Sequence, residues 1–264
     1  MPSVSALTEG LNPQQQEAVI HAGQPLLVVA GAGSGKTRVL TRRIGYLLAE
    51  RGCAPYEILA ITFTNKAAGE MKERVAELVG DRAKSMWVST FHSACVRILR
   101  QEASRLGYTN SFTIYDQSDS LRLITLVMKD LNLDAKKYAP RAVAALISQA
   151  KNELLGPADY LNQSKDHFQE IVAQVFAIYQ KRLSGANSMD FDDLIAKTVE
   201  VMQRHPEVRA KYRSRFKHIL VDEYQDTNHA QYVLIKELVG NERDGISPAE
   251  LCVVGDADQS IYAF

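Results

Sequence analysis

The residue types best suited to chemistry gather in two short stretches. Gly31-Ala32-Gly33-Ser34-Gly35-Lys36-Thr37 sets three glycines ahead of a lysine and a hydroxyl. Glycines let the backbone curl until its N–H groups converge on an anion, and a helix start just beyond adds partial positive charge. Lys36 is then placed to reach the outer phosphates of a nucleoside triphosphate, and the Thr37 hydroxyl to take Mg²⁺. The pattern is a P-loop whose first glycine is replaced by Ala30. The second stretch, Asp222-Glu223-Tyr224-Gln225-Asp226, follows the apolar run Ile219-Leu220-Val221. Carboxylates at the tip of a buried strand fit the other half of an NTPase site. Asp222 is expected to hold Mg²⁺, directly or through water. Glu223, on the other side of the pleat, is expected to polarise the attacking water.

These groups need strands that end together. The apolar run 26–30 leads through the P-loop into a helical pattern over 38–50. Ile58-Leu59-Ala60-Ile61-Thr62-Phe63 reads as a buried strand that exits through Thr64-Asn65 into a second helix. Trp87-Val88-Ser89-Thr90-Phe91-His92 repeats the scheme. Both exits set an aromatic or imidazole ring beside hydroxyls and backbone donors, a combination able to grip a sugar-phosphate backbone and stack a base. For Phe63 and Phe91 a plain place in the core is the more economical reading. Upstream, Asn12 and Pro13 read as the N-cap and first position of a helix. Gln14, Gln15 and Gln16 are then either helix formers only or the source of an amide that reads the adenine edge. The run Leu251-Cys252-Val253-Val254 ends in a polar exit containing Gln259, which would sit near the γ-phosphate if this strand lies beside the one bearing Asp222.

Between 110 and 189 the strand patterns vanish and helical periods take over, which predicts an all-helical insertion within an α/β domain. Lys136, Lys137, Lys151, Lys181 and Arg182 are read there as solvated helix faces rather than a nucleic-acid surface. Asp190 is read as an N-cap, with Asp192 and Asp193 in the positive first turn, a sufficient account of three adjacent carboxylates. The five cations at 209–217 are likewise read as a solvated helix. The expected division is 1–109, the first segment of the ATP-binding domain; 110–189, the insertion; and 190–264, the second segment.

The composition suits such a chain: 46% apolar and 23% charged residues over 264 positions provide for a sizeable core without a low-complexity segment. A net charge of zero argues against a general polyanion binder, and the acidic excess is confined to 190–264, with 14 acidic against 9 basic groups. Cys53, Cys95 and Cys252 lack metal or disulfide spacing, which fits a reducing, cytoplasmic setting. No membrane span or leader peptide is expected. Ending on Phe264, with no helix to cover the last strand's exit, the sequence reads as a truncated piece.

Taken together, the quoted blocks resemble the UvrD, PcrA and Rep family of superfamily 1 DNA helicases, from Leu11 nearly to Phe264. The blocks stand in the family's order: the glutamine motif, Ala-Gly-Ala-Gly-Ser-Gly-Lys-Thr, Thr-Phe-Thr-Asn-Lys-Ala-Ala, Ser-Thr-Phe-His, Val-Asp-Glu-Tyr-Gln-Asp-Thr and Gly-Asp-Ala-Asp-Gln-Ser-Ile-Tyr. The likeness is closer to PcrA and UvrD than to the larger helicase-nucleases. It implies a RecA-like P-loop NTPase sheet flanked by helices, with ATP and Mg²⁺ as cofactors. By the same resemblance Gln15 contacts adenine, and Arg38 and Gln225 flank the nucleotide. Lys36, Thr37, Asp222, Glu223 and Gln259 take the ATPase roles. The loops holding Phe63, Asn65, His92, Tyr262 and Phe264 resemble those that bind single-stranded DNA. The family usually has tryptophan at the last position, so Phe264 keeps a stacking ring without the indole donor.

In the family, two RecA-like domains close on ATP and drive 3′-to-5′ translocation on single strands and at junctions with duplex, in repair or replication. The resemblance implies that this chain carries only the first motor domain and its insertion. The arginines that complete the site from the second domain are then missing, and an arginine finger is worth ~10³ or more in rate. Nucleotide binding without fast hydrolysis or unwinding is the expectation. A P-loop kinase is the rival enzyme reading, but it has no need of two Thr-Phe exits or Gln259; an ATP-gated DNA-binding module is the rival non-enzymatic reading.

Overall fold

The sheet strands form around β-branched and leucine-rich runs, and helices where amphipathic stretches follow them. In the computed structural model, which describes residues 4–31, 33–241 and 245–256, the elements are α1 (Val4–Thr8), α2 (Pro13–Ile20), β1 (Leu26–Val29), α3 (Lys36–Ala49), β2 (Ile58–Thr62), α4 (Asn65–Val79), β3 (Trp87–Thr90), α5 (Phe91–Glu102), β4 (Thr113–Tyr115), α6 (Gln117–Asp130), α7 (Pro140–Asn152), α8 (Pro157–Gln163), α9 (His167–Gly185), β5 (Ser188–Asp190), α10 (Phe191–Arg204), α11 (Pro206–Arg215), β6 (His218–Val221), α12 (His229–Val239) and β7 (Glu250–Gly255).

Two compact units result. The sheet unit comprises residues 1–94, 206–227 and 235–264, and the helical unit 95–205 and 228–234. These junctions differ from the 109/110 and 189/190 divisions read from the sequence. Within the helical unit α10 packs on α7 and β5, so residues beyond 190 remain part of it.

The sheet unit is built on five parallel strands in the order β1-β7-β6-β2-β3. Every residue of β2 and β6 is buried, as expected for central strands of a parallel sheet covered on both faces. One face packs Ile58, Ala60, Leu220 and Val254 against Leu40, Ile44 and Leu47 of α3 and Met71 and Val75 of α4. The apolar run of β1 is less buried than its composition suggests. It is an edge strand, and Leu27 and Val29 are 60% and 55% exposed. Register sets Val29 beside Gly255, Val221 beside Val253 and Ile61, and Thr62 beside Thr90. All the carboxyl ends therefore emerge on one edge of the sheet, where open α/β folds hold ligands.

The helical unit is cored by Ile124, Val127, Val143, Ile147, Val172, Val175, Phe176 and Tyr179, drawn from α6, α7 and α9. Contrary to the all-helical expectation, β4 and β5 pair in parallel across Thr113–Tyr115 and Ser188–Asp190. Three-residue strands are too short to show a period of two in sequence, and β5 doubles as the capping run of the next helix. Asp190 does cap α10, accepting the Asp193 N–H at 2.8 Å. Among the described residues no helix is long and apolar enough to cross a membrane.

Candidate functional site

The P-loop links β1 to α3. Gly33 and Gly35 adopt φ of +73° and +87°, the left-handed region that glycine enters without a Cβ penalty, and Gly35 forms the N-cap of α3. Ser34 N–H donates to the Gly31 carbonyl at 3.3 Å, closing the curl. Gln15 lies against this loop. Its Nε2 donates to the Ser34 carbonyl at 2.9 Å, while its Oε1 accepts the Asn12 N–H at 3.0 Å in the capping box of α2. Helix α2 is clamped to α3 by Arg43, buried and donating to the carbonyls of Ala18, Val19 and His21 at 3.0, 3.3 and 2.7 Å. Arg38 turns away from the loop, its guanidinium reaching the Glu9 carbonyl at 3.4 Å.

Lys36 folds back over the loop that precedes it. Its Nζ donates to the carbonyls of Ala30 and Gly31 at 2.9 and 3.1 Å and pairs with Asp256 Oδ2 at 3.0 Å. Thr37 Oγ1 donates to Asp222 Oδ2 at 3.1 Å, although the two lie 185 positions apart in the chain. Asp222 continues the ladder beyond β6, its N–H donating to the Ile61 carbonyl at 3.0 Å, and it is only 4% exposed. Burial raises its carboxyl pKa, opposed by the Thr37 hydrogen bond.

Glu223 departs from the sequence reading. The strand ends at Val221, and Glu223 sits at φ +51°, a left-handed turn rather than the opposite side of a pleat. A non-glycine residue held there marks local strain of the kind found at functional sites. The turn brings its carboxylate to Gln225, whose Nε2 donates to Glu223 Oε2 at 2.7 Å. Gln225 Oε1 in turn accepts the Asp256 N–H at 3.0 Å.

The neighbouring exits of β2 and β3 hold the other expected residues. Phe63 is half-buried and meets the buried Phe91 edge to face, with centroids 5.7 Å apart. Phe91 therefore takes the core role, while Phe63 retains accessible surface. Asn65 opens α4 in an exposed position after the N-cap Thr64. His92 is half-buried in the first turn of α5, and burial lowers its pKa. Ala32, Gln259, Tyr262 and Phe264 lie outside the described residues. The strand leading to Gln259 does adjoin β6, the condition set for its expected position.

Asp256 joins the site although no spacing motif marks it. The rule that picks Asp222, an acid immediately after an apolar strand, applies equally to Val253-Val254-Gly255-Asp256. For Mg²⁺, the donor set near Lys36 is a threonine hydroxyl and a carboxylate, hard oxygen ligands of the kind this ion takes alongside phosphate oxygens and water.

A parallel sheet with its glycine loop, helix start and strand-tip carboxylate on one edge defines a RecA-like P-loop domain. Comparison with known proteins carries this further. The model of the UvrD/REP helicase N-terminal domain matches residues 11–264, and the chain belongs to that family. It is 61% identical over 263 residues to the ATP-dependent DNA helicase UvrD1 of Mycobacterium tuberculosis, covering 98% of this chain and 34% of the relative. Identity to the ATP-dependent DNA helicase PcrA of Bacillus subtilis is 53% over 256 residues, covering 97% and 34%. The chain thus spans about a third of the length of these relatives.

Proposed function

We propose that this chain is the nucleotide-binding motor portion of an ATP-dependent DNA helicase that translocates 3′ to 5′ on single-stranded DNA in repair or replication, in the cytoplasm. The observation that carries the reading is the Thr37–Asp222 contact, which joins the glycine loop to the carboxylate of a different strand at 3.1 Å. ATP binds with its phosphates over the N–H groups of Gly31 to Gly35 and its outer phosphates on Lys36. Gln15, already against the loop at Ser34, is placed to turn its amide to adenine. Thr37 and Asp222 would hold Mg²⁺, which would supply charge neutralisation on the phosphates. Glu223 orients and deprotonates the attacking water, its carboxylate aimed by Gln225, and Gln259 meets the γ-phosphate.

Single-stranded DNA is taken up along the exits bearing Phe63, Asn65 and His92, together with Tyr262 and Phe264. An exposed amide, a half-buried ring and a neutral imidazole suit backbone contact plus base stacking. Since the chain is a third of its relatives' length, it is expected by itself to act as an ATP-sensitive DNA-binding module, with hydrolysis far slower than in a complete motor. Titration of fluorescent oligo-dT, with and without a non-hydrolysable ATP analogue and Mg²⁺, tests this. Weak binding that changes with the analogue is expected. Analogue binding with no DNA binding would favour a P-loop kinase, and DNA-stimulated turnover equal to that of a complete helicase would refute the division of labour.

A further inference from the structure

Lys36 has every donor engaged. An ammonium carries three N–H groups, and the Ala30 carbonyl, the Gly31 carbonyl and Asp256 Oδ2 take all three at 2.9, 3.1 and 3.0 Å. A phosphate oxygen can be met only if one of these is given up. The two carbonyls belong to the loop that cradles the same phosphate, whereas Asp256 is an anion competing for the same cation. The pair is shielded from water, with side-chain exposures of 9% and 2%, so the competition is not screened away. Asp256 is also tied to the carboxylate turn: its N–H donates to Gln225 Oε1 at 3.0 Å, and Gln225 Nε2 donates to Glu223 Oε2 at 2.7 Å.

We propose that Asp256 is an internal stand-in for phosphate. In the nucleotide-free chain it holds Lys36; on nucleotide binding the ammonium passes from the Asp256 carboxylate to a phosphate oxygen. The exchange alters the support of Asp256, and through Gln225 the setting of Glu223. Occupancy of the loop is thereby relayed to the group that aims the attacking water. Asp256 acts through Lys36 and Gln225 and is a positioning residue. The proposal rests on the nucleotide reading of the site.

The test is equilibrium binding of a non-hydrolysable ATP analogue with Mg²⁺ to the wild-type chain and to Asp256→Asn, repeated in a Lys36→Gln background. If Asp256 holds Lys36 in about nine molecules of ten, its removal tightens apparent affinity about tenfold. The gain vanishes when Lys36 is already absent, whereas a general loss of negative charge would tighten both backgrounds alike. A second readout needs no nucleotide: the rate at which an amine-reactive reagent labels Lys36, followed by peptide mass spectrometry. It rises in Asp256→Asn, and in Asp256→Ser should the first variant not fold, while Lys66, 88% exposed, keeps its rate. Unchanged or weakened affinity with unchanged labelling overturns the proposal, as does equal tightening in both backgrounds. If the wild-type chain binds no analogue, the nucleotide reading fails, and the labelling contrast still decides whether Asp256 holds Lys36.

Discussion

The sheet unit and the helical unit each pair a lysine with aspartate out of open solvent, Lys36 partly buried and Lys151 fully so, and they hold it in different ways. Lys151, on α7, pairs with Asp190 Oδ2 at 2.6 Å and Asp193 Oδ1 at 2.9 Å. Those carboxylates are themselves committed: Asp190 accepts the Tyr179 hydroxyl at 2.8 Å, Asp193 accepts Gln180, and the two close the capping box of α10. Lys36 has a single carboxylate, and its other acceptors are carbonyls of a glycine loop. Releasing Lys36 breaks one pair; releasing Lys151 would disturb a helix cap and leave two buried acids without their cation. A shielded lysine is exchangeable when its partners stand on a loop, and architectural when they also cap a helix.

The largest expected effect follows from the second case. Lys151→Ala should destabilise the helical unit by about 3–5 kcal/mol, the cost of removing one partner from a buried ion cluster, as read by denaturant unfolding. Lys36→Ala should cost less, about 1–3 kcal/mol, while weakening analogue binding. Equal stability losses would erase the distinction between the two lysines. Gly35→Ala tests the loop itself. A side chain at φ +87° costs about 1–2 kcal/mol and weakens nucleotide binding without touching the Lys151 cluster.

Acidification should separate the units in the same sense. Burial lowers the pKa of His218 and of His92, both in the sheet unit, below the ordinary 6.5. The unfolded chain therefore binds more protons than the folded one just below pH 6.5, so sheet-unit stability falls as pH drops through that range. His218→Gln should flatten part of this slope in thermal melts. Lys151 behaves oppositely. Burial tends to lower its pKa, but Asp193 and Asp190 outweigh it and raise the value above 10.5. Its contribution is fully present below pH 10.5 and is lost only as pH rises through the raised value. The smallest expected effect is Asn12→Ala, which removes the α2 cap that orients Gln15, at about 1 kcal/mol.

Much of this was legible in the residues. The order of strand, glycine loop and helix, and the acid after Val221, depend on local chemistry, and local chemistry is what spacing reports. The capping role of Asp190 was visible for the same reason. What escaped depends on distance along the chain. Lys151 looked like one more solvated helix charge because its partners lie 39 and 42 positions away, on a helix that has to fold against it. Arg213 looked solvated too, yet it is buried and donates to the Glu237 carbonyl at 2.7 Å. The left-handed turn at Glu223 is invisible to alternation, which cannot say where a strand stops. The open face of β1 was hidden because an apolar run reads the same at the edge of a sheet as at its centre, and only the strand order tells them apart.

The central claim is that a glycine loop and a carboxylate from another strand converge on one Mg²⁺-bound triphosphate. Calorimetric titration of a non-hydrolysable ATP analogue with and without Mg²⁺, on the wild-type chain and on Asp222→Asn, tests it most directly. The account predicts that Mg²⁺ strengthens binding to the wild type and that this gain disappears in the variant. A gain of equal size in both proteins would contradict it.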